Sequence, residues 1–161
     1  MTDFDADSPA ESHSLRGPVD RAALLTIRDI FAAEEPLATP ELDDYLNPTE
    51  LEIALADGIE SADAARIDVV WTTRGDYKFH YTDTAGVNAR WGRHPHGGEY
   101  DTDGLAHYHP PPEATSDPAA VEPSCIEHTI ARLVARAVSK LWRAAYQVGD
   151  TDRLNAGSNP P

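Results

Sequence analysis

Histidines are the residues of this chain whose spacing most directly suggests chemistry. Four of the seven form two H-x-H pairs, His94 with His96 and His107 with His109. In extended backbone, residues two apart point to the same side, so each pair can direct both imidazoles to one place. Four imidazoles near Asp101 or Asp103 could hold zinc or another transition metal. Metal-free catalysis and exposed loop histidines fit the same spacing, so all three readings stay open.

Three strand-like segments lie around these histidines. Residues 67–71, 77–82 and 87–91 alternate apolar and polar side chains, as half-buried strands do. The intervening stretches 72–76 and 83–87 suit tight hairpin turns in which glycine takes the left-handed conformation. A slip of one residue in register would move every side chain to the other face of the sheet. These turns therefore predict which side chains share a face.

The predicted register collects polar side chains on one face. Asp68, His80 and Arg90 lie side by side across three strands, and Lys78 lies next to them. The aromatic residues of the same strands fall on the opposite face, which we expect helices to cover. The polar set is either a surface ladder, whose cross-strand pairs contribute about 0.2 to 1 kcal/mol each, or a functional site.

Length and charge bound the protein class. At 161 residues, 40% of them hydrophobic, the chain predicts one domain over residues 19–149, with disordered tails at 1–18 and 150–161. Asp and Glu number 28 against 13 Lys and Arg, a composition typical of a salt-adapted protein from a halophilic archaeon. At about 1 M salt the Debye length is roughly 3 Å, so this charge does not exclude a polyanion from a locally basic site.

The single cysteine, Cys125, excludes an internal disulfide and a zinc site made of several thiolates. The sequence contains neither an apolar run of about 18 residues nor a charged-then-apolar leader. We therefore expect a cytoplasmic protein that does not cross a membrane.

Helical and strand-like patterns flank the central segments. Residues 20–35 predict an amphipathic helix, residues 40–46 a short helix begun by Thr-Pro-Glu, and residues 50–56 a strand. An S-x-x-E capping box at Ser124 predicts the start of a C-terminal amphipathic helix that stops at Gly149. The predicted architecture is α+β: an antiparallel sheet of four or more strands with helices packed on one face.

The C-terminal helix also carries a basic stripe in an otherwise acidic chain. Its members recur at spacings of four, four and three: Arg132, Arg136, Lys140 and Arg143. Such a stripe is either a solvated helix face or a phosphate-contacting surface.

A string of motifs runs from Tyr77 to His109. It comprises Y-x-F-H-Y at residues 77–81, the pair Arg90-Trp91, the histidines at 94 and 96, and the late H-x-H at 107–109. This string resembles the central block of the TumE-family toxins of type II toxin-antitoxin systems, here in a haloarchaeal version. It departs from the family pattern at Gly92-Arg93, where an acidic residue is common. The resemblance implies an α+β toxin that acts on RNA and is silenced by a cognate antitoxin.

Metal-independent RNA cleavage needs a general base, a general acid and cations for the phosphate. We expect His80, oriented by Asp68, to serve as base or acid, and Arg90 and Lys78 to hold the phosphate. The complementary proton donor is one of the other histidines: His94, His96, His107 or His109. Further RNA contacts are expected from Arg93 and from the basic stripe.

This mechanism requires no cofactor. The alternative is zinc at His94, His96, His107 and His109, in a non-catalytic binding or interaction module stabilised by the metal. Expected partners are an antitoxin and RNA, without a membrane, and a homodimer is left open.

Overall fold

One antiparallel sheet and two helices make up the computed structural model, which describes residues 15–96 and 104–157. In chain order the elements are α1 (Arg21–Glu34), β1 (Ala38–Leu42), β2 (Leu51–Leu55), β3 (Ala65–Trp71), β4 (Tyr77–Asp83), β5 (Asn88–Arg93), β6 (Ala106–His109), β7 (Glu122–Pro123), α2 (Ala131–Val148) and a 3₁₀ helix (Thr151–Asn155). Within the described residues the strands lie in sequence order, β1 to β7, as a meander. The predicted α+β architecture is confirmed.

The two central hairpins have the predicted register. Gly75 and Gly86 occupy their turns with φ of 81° and 84°, a conformation that glycine adopts without a steric cost. Asp68 on β3 lies directly opposite His80 on β4, and His80 lies opposite Arg90 on β5. The predicted row of these three residues is therefore confirmed.

The core lies between the helices and the aromatic face of the sheet. Val69, Phe79 and Trp91 are neighbours on this face and are fully buried. Burying a large apolar side chain contributes about 1.5 to 3 kcal/mol, so this layer is the main source of stability. The helices supply its other side with Leu24, Ile27 and Phe31 from α1 and with Val134, Val138 and Trp142 from α2.

Two ion pairs join α1 to α2. Arg136 Nε lies 2.9 Å from Glu34 Oε1 at the surface. Arg143 Nε donates to Glu35 Oε1 at 2.7 Å, and Glu35 is only 2% exposed. The Glu35 carboxylate thus enters the boundary of the core with a guanidinium bound to it, as a buried charge requires.

The predicted short helix at 40–46 is wrong, because residues 38–42 form β1. Every residue of β1 pairs with β2. Pro40 is tolerated because β1 is an edge strand, where a missing N–H leaves no ladder bond broken. Glu41, the acid of the predicted first helical turn, lies in β1 opposite Glu52. The turn after β1 is closed by Asp44, whose Oδ1 accepts from Leu46 N at 2.9 Å.

The start of the C-terminal helix at Ser124 is also wrong. Ser124 Oγ accepts from Ile126 N at 3.1 Å in a local turn, and residues 126–129 then form no regular secondary structure. The N-cap of α2 is Ile130, whose side chain makes no capping bond. The predicted stop at Gly149 is confirmed, since it caps α2 in the left-handed conformation with φ of 78°.

Ordered contacts continue beyond residues 19–149 at both ends. Arg16, placed by the sequence in a tail, makes three hydrogen bonds to the Asp76 carboxylate. The 3₁₀ helix buries Leu154, whose carbonyl accepts from Trp91 Nε1 at 3.1 Å. The rest of the predicted tails, residues 1–14 and 158–161, lies outside the described residues.

Candidate functional site

Four chemistry-bearing side chains lie in line on the face of the sheet that points away from the helices. This polar row runs from Asp68 through His80 and Arg90 to His109, each opposite the next on β3, β4, β5 and β6. Neighbouring strands are about 4.8 Å apart, so the row spans roughly 15 Å. A second row beside it contains Lys78, Gly92 and His107.

His80 is oriented by Asn88 and not by Asp68. Its Nε2 lies 3.0 Å from Asn88 Oδ1, whereas the Asp68 carboxylate lies 3.1 Å from Arg66 Nε. Burial and then the charge of Arg90 lower the pKa of His80 from 6.5 to about 4, although the bond to Asn88 acts in the opposite sense. The imidazole is therefore neutral at pH 7 and suited to accepting a proton.

Asp68 is itself a perturbed group. Burial raises the pKa of its carboxyl, while the charge of Arg66 acts to lower it. The pair is half-buried, so both side chains meet solvent on the polar face. Asp68 and Arg66 thus form a local ion pair beside His80.

A segment of the chain covers one end of the polar row. Residues 110–120, here called the strap, follow β6 and touch the row through Thr115 and Ser116. Arg90 Nη2 donates to Ser116 Oγ at 3.2 Å, and His109 Nδ1 lies 2.9 Å from the Thr115 carbonyl oxygen. Arg90 is 3% exposed and His109 fully buried, whereas His80 remains half-buried. The row is therefore open at its β3–β4 end.

The histidines of the two H-x-H pairs form one buried cluster. The His107 ring centre lies 4.6 Å from that of His94, 5.0 Å from that of His109 and 5.8 Å from that of His96. Each ring places one nitrogen within 3.1 Å of a backbone carbonyl oxygen. A carbonyl only accepts, so that nitrogen carries the hydrogen and the other nitrogen of a neutral ring is the basic one.

Gly92 makes the space that this cluster occupies. A Cβ at position 92 would lie 3.1 Å from His107 Nε2 and 3.7 Å from His94 Nε2. A Cβ at this position would require the His107 ring to shift by a few tenths of an ångström. At Gly92, where the family pattern commonly has an acidic residue, the His107 imidazole thus packs directly against the backbone.

The cluster meets one requirement of a metal site. Metal-binding histidines commonly donate their second N–H to a carbonyl or carboxylate, as these rings do to carbonyls. Among residues 15–96 and 104–157, however, no group of three or more His, Cys, Asp or Glu is arranged to hold one ion. Asp101 and Asp103, the predicted acidic ligands, lie outside the described residues.

The predicted RNA-contacting residues are divided between the two faces of the sheet. Lys78 lies on the polar face, beside Gly92. Arg93 lies on the helix-facing side, where its Nη1 is 3.5 Å from the Gly75 carbonyl oxygen. The basic stripe does not lie near the polar row either, because α2 packs on the aromatic face of the sheet. Arg132 and Lys140 of the stripe are exposed. Arg136 and Arg143 bind Glu34 and Glu35 at the end of α1.

Three side chains at the site were missed from the sequence. Arg66 and Asn88 share the polar face by strand alternation, being two residues from Asp68 and Arg90. Asn88 lies within the predicted strand 87–91, and extending the strand 67–71 by one residue would have included Arg66. Ser116 has no comparable signal, because its contact with Arg90 depends on how the strap folds.

The chain matches the family model of toxin TumE over residues 27–141, more than two thirds of its length. Comparisons with curated proteins and with solved structures found no significant match. In the described part of the chain, neither helix has the length and apolar character needed to span a bilayer. The matched region contains the polar row, the histidine cluster and the facing parts of both helices. The chain belongs to the TumE toxin family.

Proposed function

We propose that this protein is a cytoplasmic toxin that cleaves RNA at the polar row without a metal ion. The observation that carries the proposal is that His80 and His109 flank Arg90 on three adjacent strands. RNA cleavage of this kind needs a base for the 2′-hydroxyl, an acid for the leaving 5′-oxygen and a cation for the phosphate between them. His80 supplies the base, His109 the acid and Arg90 the cation.

His80 is the base in this mechanism. It takes the proton of the 2′-hydroxyl, the 2′-oxygen attacks phosphorus, and the bond from phosphorus to the 5′-oxygen breaks. His109, in its doubly protonated form, donates its Nε2 proton to that oxygen while Nδ1–H stays bonded to the Thr115 carbonyl. The products are a 2′,3′-cyclic phosphate and a 5′-hydroxyl. Arg90 and Lys78 bind the non-bridging oxygens. A bound phosphate also offsets the cationic charges that lower the pKa of His80, which strengthens it as a base.

The RNA phosphate enters from the β3–β4 end of the row, where Lys78 and His80 are half-buried. To reach Arg90 it replaces Ser116 Oγ, the neutral acceptor now bound to the guanidinium. An anionic oxygen is the stronger acceptor, so the exchange is favourable once the phosphate is desolvated.

Substitution at the row tests the proposal. His80→Gln and Arg90→Ala should each reduce cleavage of RNA by the purified protein by about 10²- to 10⁴-fold, the usual effect of losing acid-base or electrostatic catalysis. Growth arrest on induction in a haloarchaeal host lacking the antitoxin should be relieved in parallel. The products of the wild type should carry 2′,3′-cyclic phosphate ends, and EDTA should not slow their formation.

The matched control is Arg153→Ala, because Arg153 is exposed on the 3₁₀ helix and distant from the polar row. It should leave cleavage and growth arrest unchanged. If His80→Gln stays as active as the control, the proposed chemistry is wrong.

The carbonyl-bound rings of the histidine cluster favour a second function, a zinc-stabilised interaction module without catalysis. In that case the purified protein contains one equivalent of zinc, and chelation lowers its melting temperature because metal binding contributes to folding. His107→Ala would release the metal, and the wild type would leave RNA intact.

The toxin family implies an antitoxin partner. We propose that the antitoxin and RNA are the partners in the cell, and a homodimer of the toxin alone is left open. Light scattering of the isolated chain distinguishes a monomer from a dimer, and co-expression with the product of the adjacent gene should restore growth.

A further inference from the structure

Asn88 makes a set of hydrogen bonds that fixes its own orientation and that of His80. Its Oδ1 lies 3.0 Å from His80 Nε2 and accepts from Thr82 Oγ1 at 3.2 Å. Its Nδ2 donates to the Gly86 carbonyl oxygen at 3.3 Å. The side chain is 8% exposed, so these bonds do not compete freely with water.

The Gly86 carbonyl decides which way the Asn88 amide points. A carbonyl oxygen can only accept, so the NH₂ end of the amide must face Gly86 and the oxygen end must face His80. That oxygen can also only accept. His80 Nε2 must therefore carry a hydrogen, and in the neutral ring Nδ1 holds the lone pair.

We propose that Asn88 is a positioning residue that holds His80 in the Nε2–H tautomer and so presents Nδ1 as the basic nitrogen. The inference rests on the proposed function for its catalytic meaning, because Nδ1 would then be the atom that takes the 2′-hydroxyl proton. Asn88 fills the orienting role that the sequence suggested for Asp68, whose carboxylate is bound by Arg66. As a neutral acceptor, Asn88 orients the ring without favouring its protonated form as strongly as a carboxylate would.

The tautomer can be read directly by ¹⁵N NMR of the imidazole in the full-length protein near pH 7.5. The wild type should show a protonated Nε2 and an unprotonated Nδ1 at His80. Asn88→Ala should lose this preference and show both tautomers in exchange. Thr82→Val is the matched control, because it removes the other bond to Asn88 Oδ1 and should leave the His80 tautomer unchanged.

Kinetics supply a second readout that a purely structural role would not move. Asn88→Asp places a carboxylate against His80 Nε2, which favours the imidazolium, so the acid limb of the pH–rate profile should shift upward by about 1 pH unit or more. Asn88→Ala should lower kcat with little change in KM. If the ring is Nδ1–H in the wild type, or if Asn88→Ala leaves both tautomer and kcat unchanged, the inference is overturned.

The two proposals fail in different ways. A wild type with the Nε2–H tautomer that cleaves no RNA overturns the proposed function and leaves the effect of Asn88 on the ring in place. A wild type that cleaves RNA with His80 as Nδ1–H overturns the role of Asn88 and leaves the proposed function in place.

Discussion

At the scale of single residues, His80 links the site to the stability of the fold. Its pKa is about 4 in the folded protein and 6.5 when unperturbed, so the unfolded chain binds a proton first as the pH falls. Each step from pH 6.5 toward 4 therefore favours unfolding. The cause is burial beside Arg90, which opposes the imidazolium.

We expect His80→Gln to reduce this sensitivity to acid. Urea unfolding of the wild type and the variant between pH 7.5 and pH 4.5, at constant salt, measures it. The unfolding free energy should fall less steeply in the variant as the pH is lowered, because Gln cannot bind the proton. Parallel curves for the two proteins would contradict the assigned pKa.

Arg16 and Asp76 form a second residue-scale link. Asp76 is fully buried, and although burial raises the pKa of its carboxyl, the bonds from Arg16 outweigh that effect and lower it. We expect Arg16→Ala to destabilise the protein by about 1 to 3 kcal/mol, since it leaves a buried carboxylate without its cation. Denaturant midpoints test this, and adding Asp76→Asn to Arg16→Ala should recover part of the loss.

At the scale of elements, the histidine cluster packs against β5 because Gly92 has no side chain. Gly92→Ala should displace the His107 ring by a few tenths of an ångström, at a stability cost of about 1 to 3 kcal/mol for overpacking. Cleavage should fall if the cluster supplies the acid. The control is Ala54→Gly on β2, a change between small residues away from the cluster. Gly104→Ala would not serve, because Gly104 has φ of 75° and a side chain there is strained.

The elements differ in how far the sequence predicts them. The strands β3 to β5 were predictable because alternation and the turn glycines are local signals, and they determine the polar row. The sequence predicts a helix at β1 because Thr-Pro-Glu is a helix-start pattern. The feature that makes this segment a strand is its pairing with β2, which no local pattern reveals. The partners of Arg136 and Arg143 lie more than 100 residues away in the chain, where no local pattern points to them.

At the scale of the whole molecule, the net charge of −15 opposes the compact state. Raising KCl from 0.1 M to 1 M shortens the Debye length from about 10 Å to about 3 Å and weakens this repulsion. We therefore expect the urea midpoint to rise with KCl. Sucrose of matched osmolality is the control for general solute exclusion, and an equal effect of the two would assign the rise to exclusion rather than to charge.

The contact between α1 and α2 has a consequence for the protein during its synthesis. The two helices cover one sheet, yet the ion pair between Glu34 and Arg136 joins positions 102 residues apart. While the ribosome is still making the strands, the aromatic face lacks the α2 half of its cover, and a sheet without a packed face is marginal in water. The polar row can be held rigidly only after α2 has left the exit tunnel. If the polar row cleaves RNA as we propose, this activity begins only after α2 has packed on the sheet.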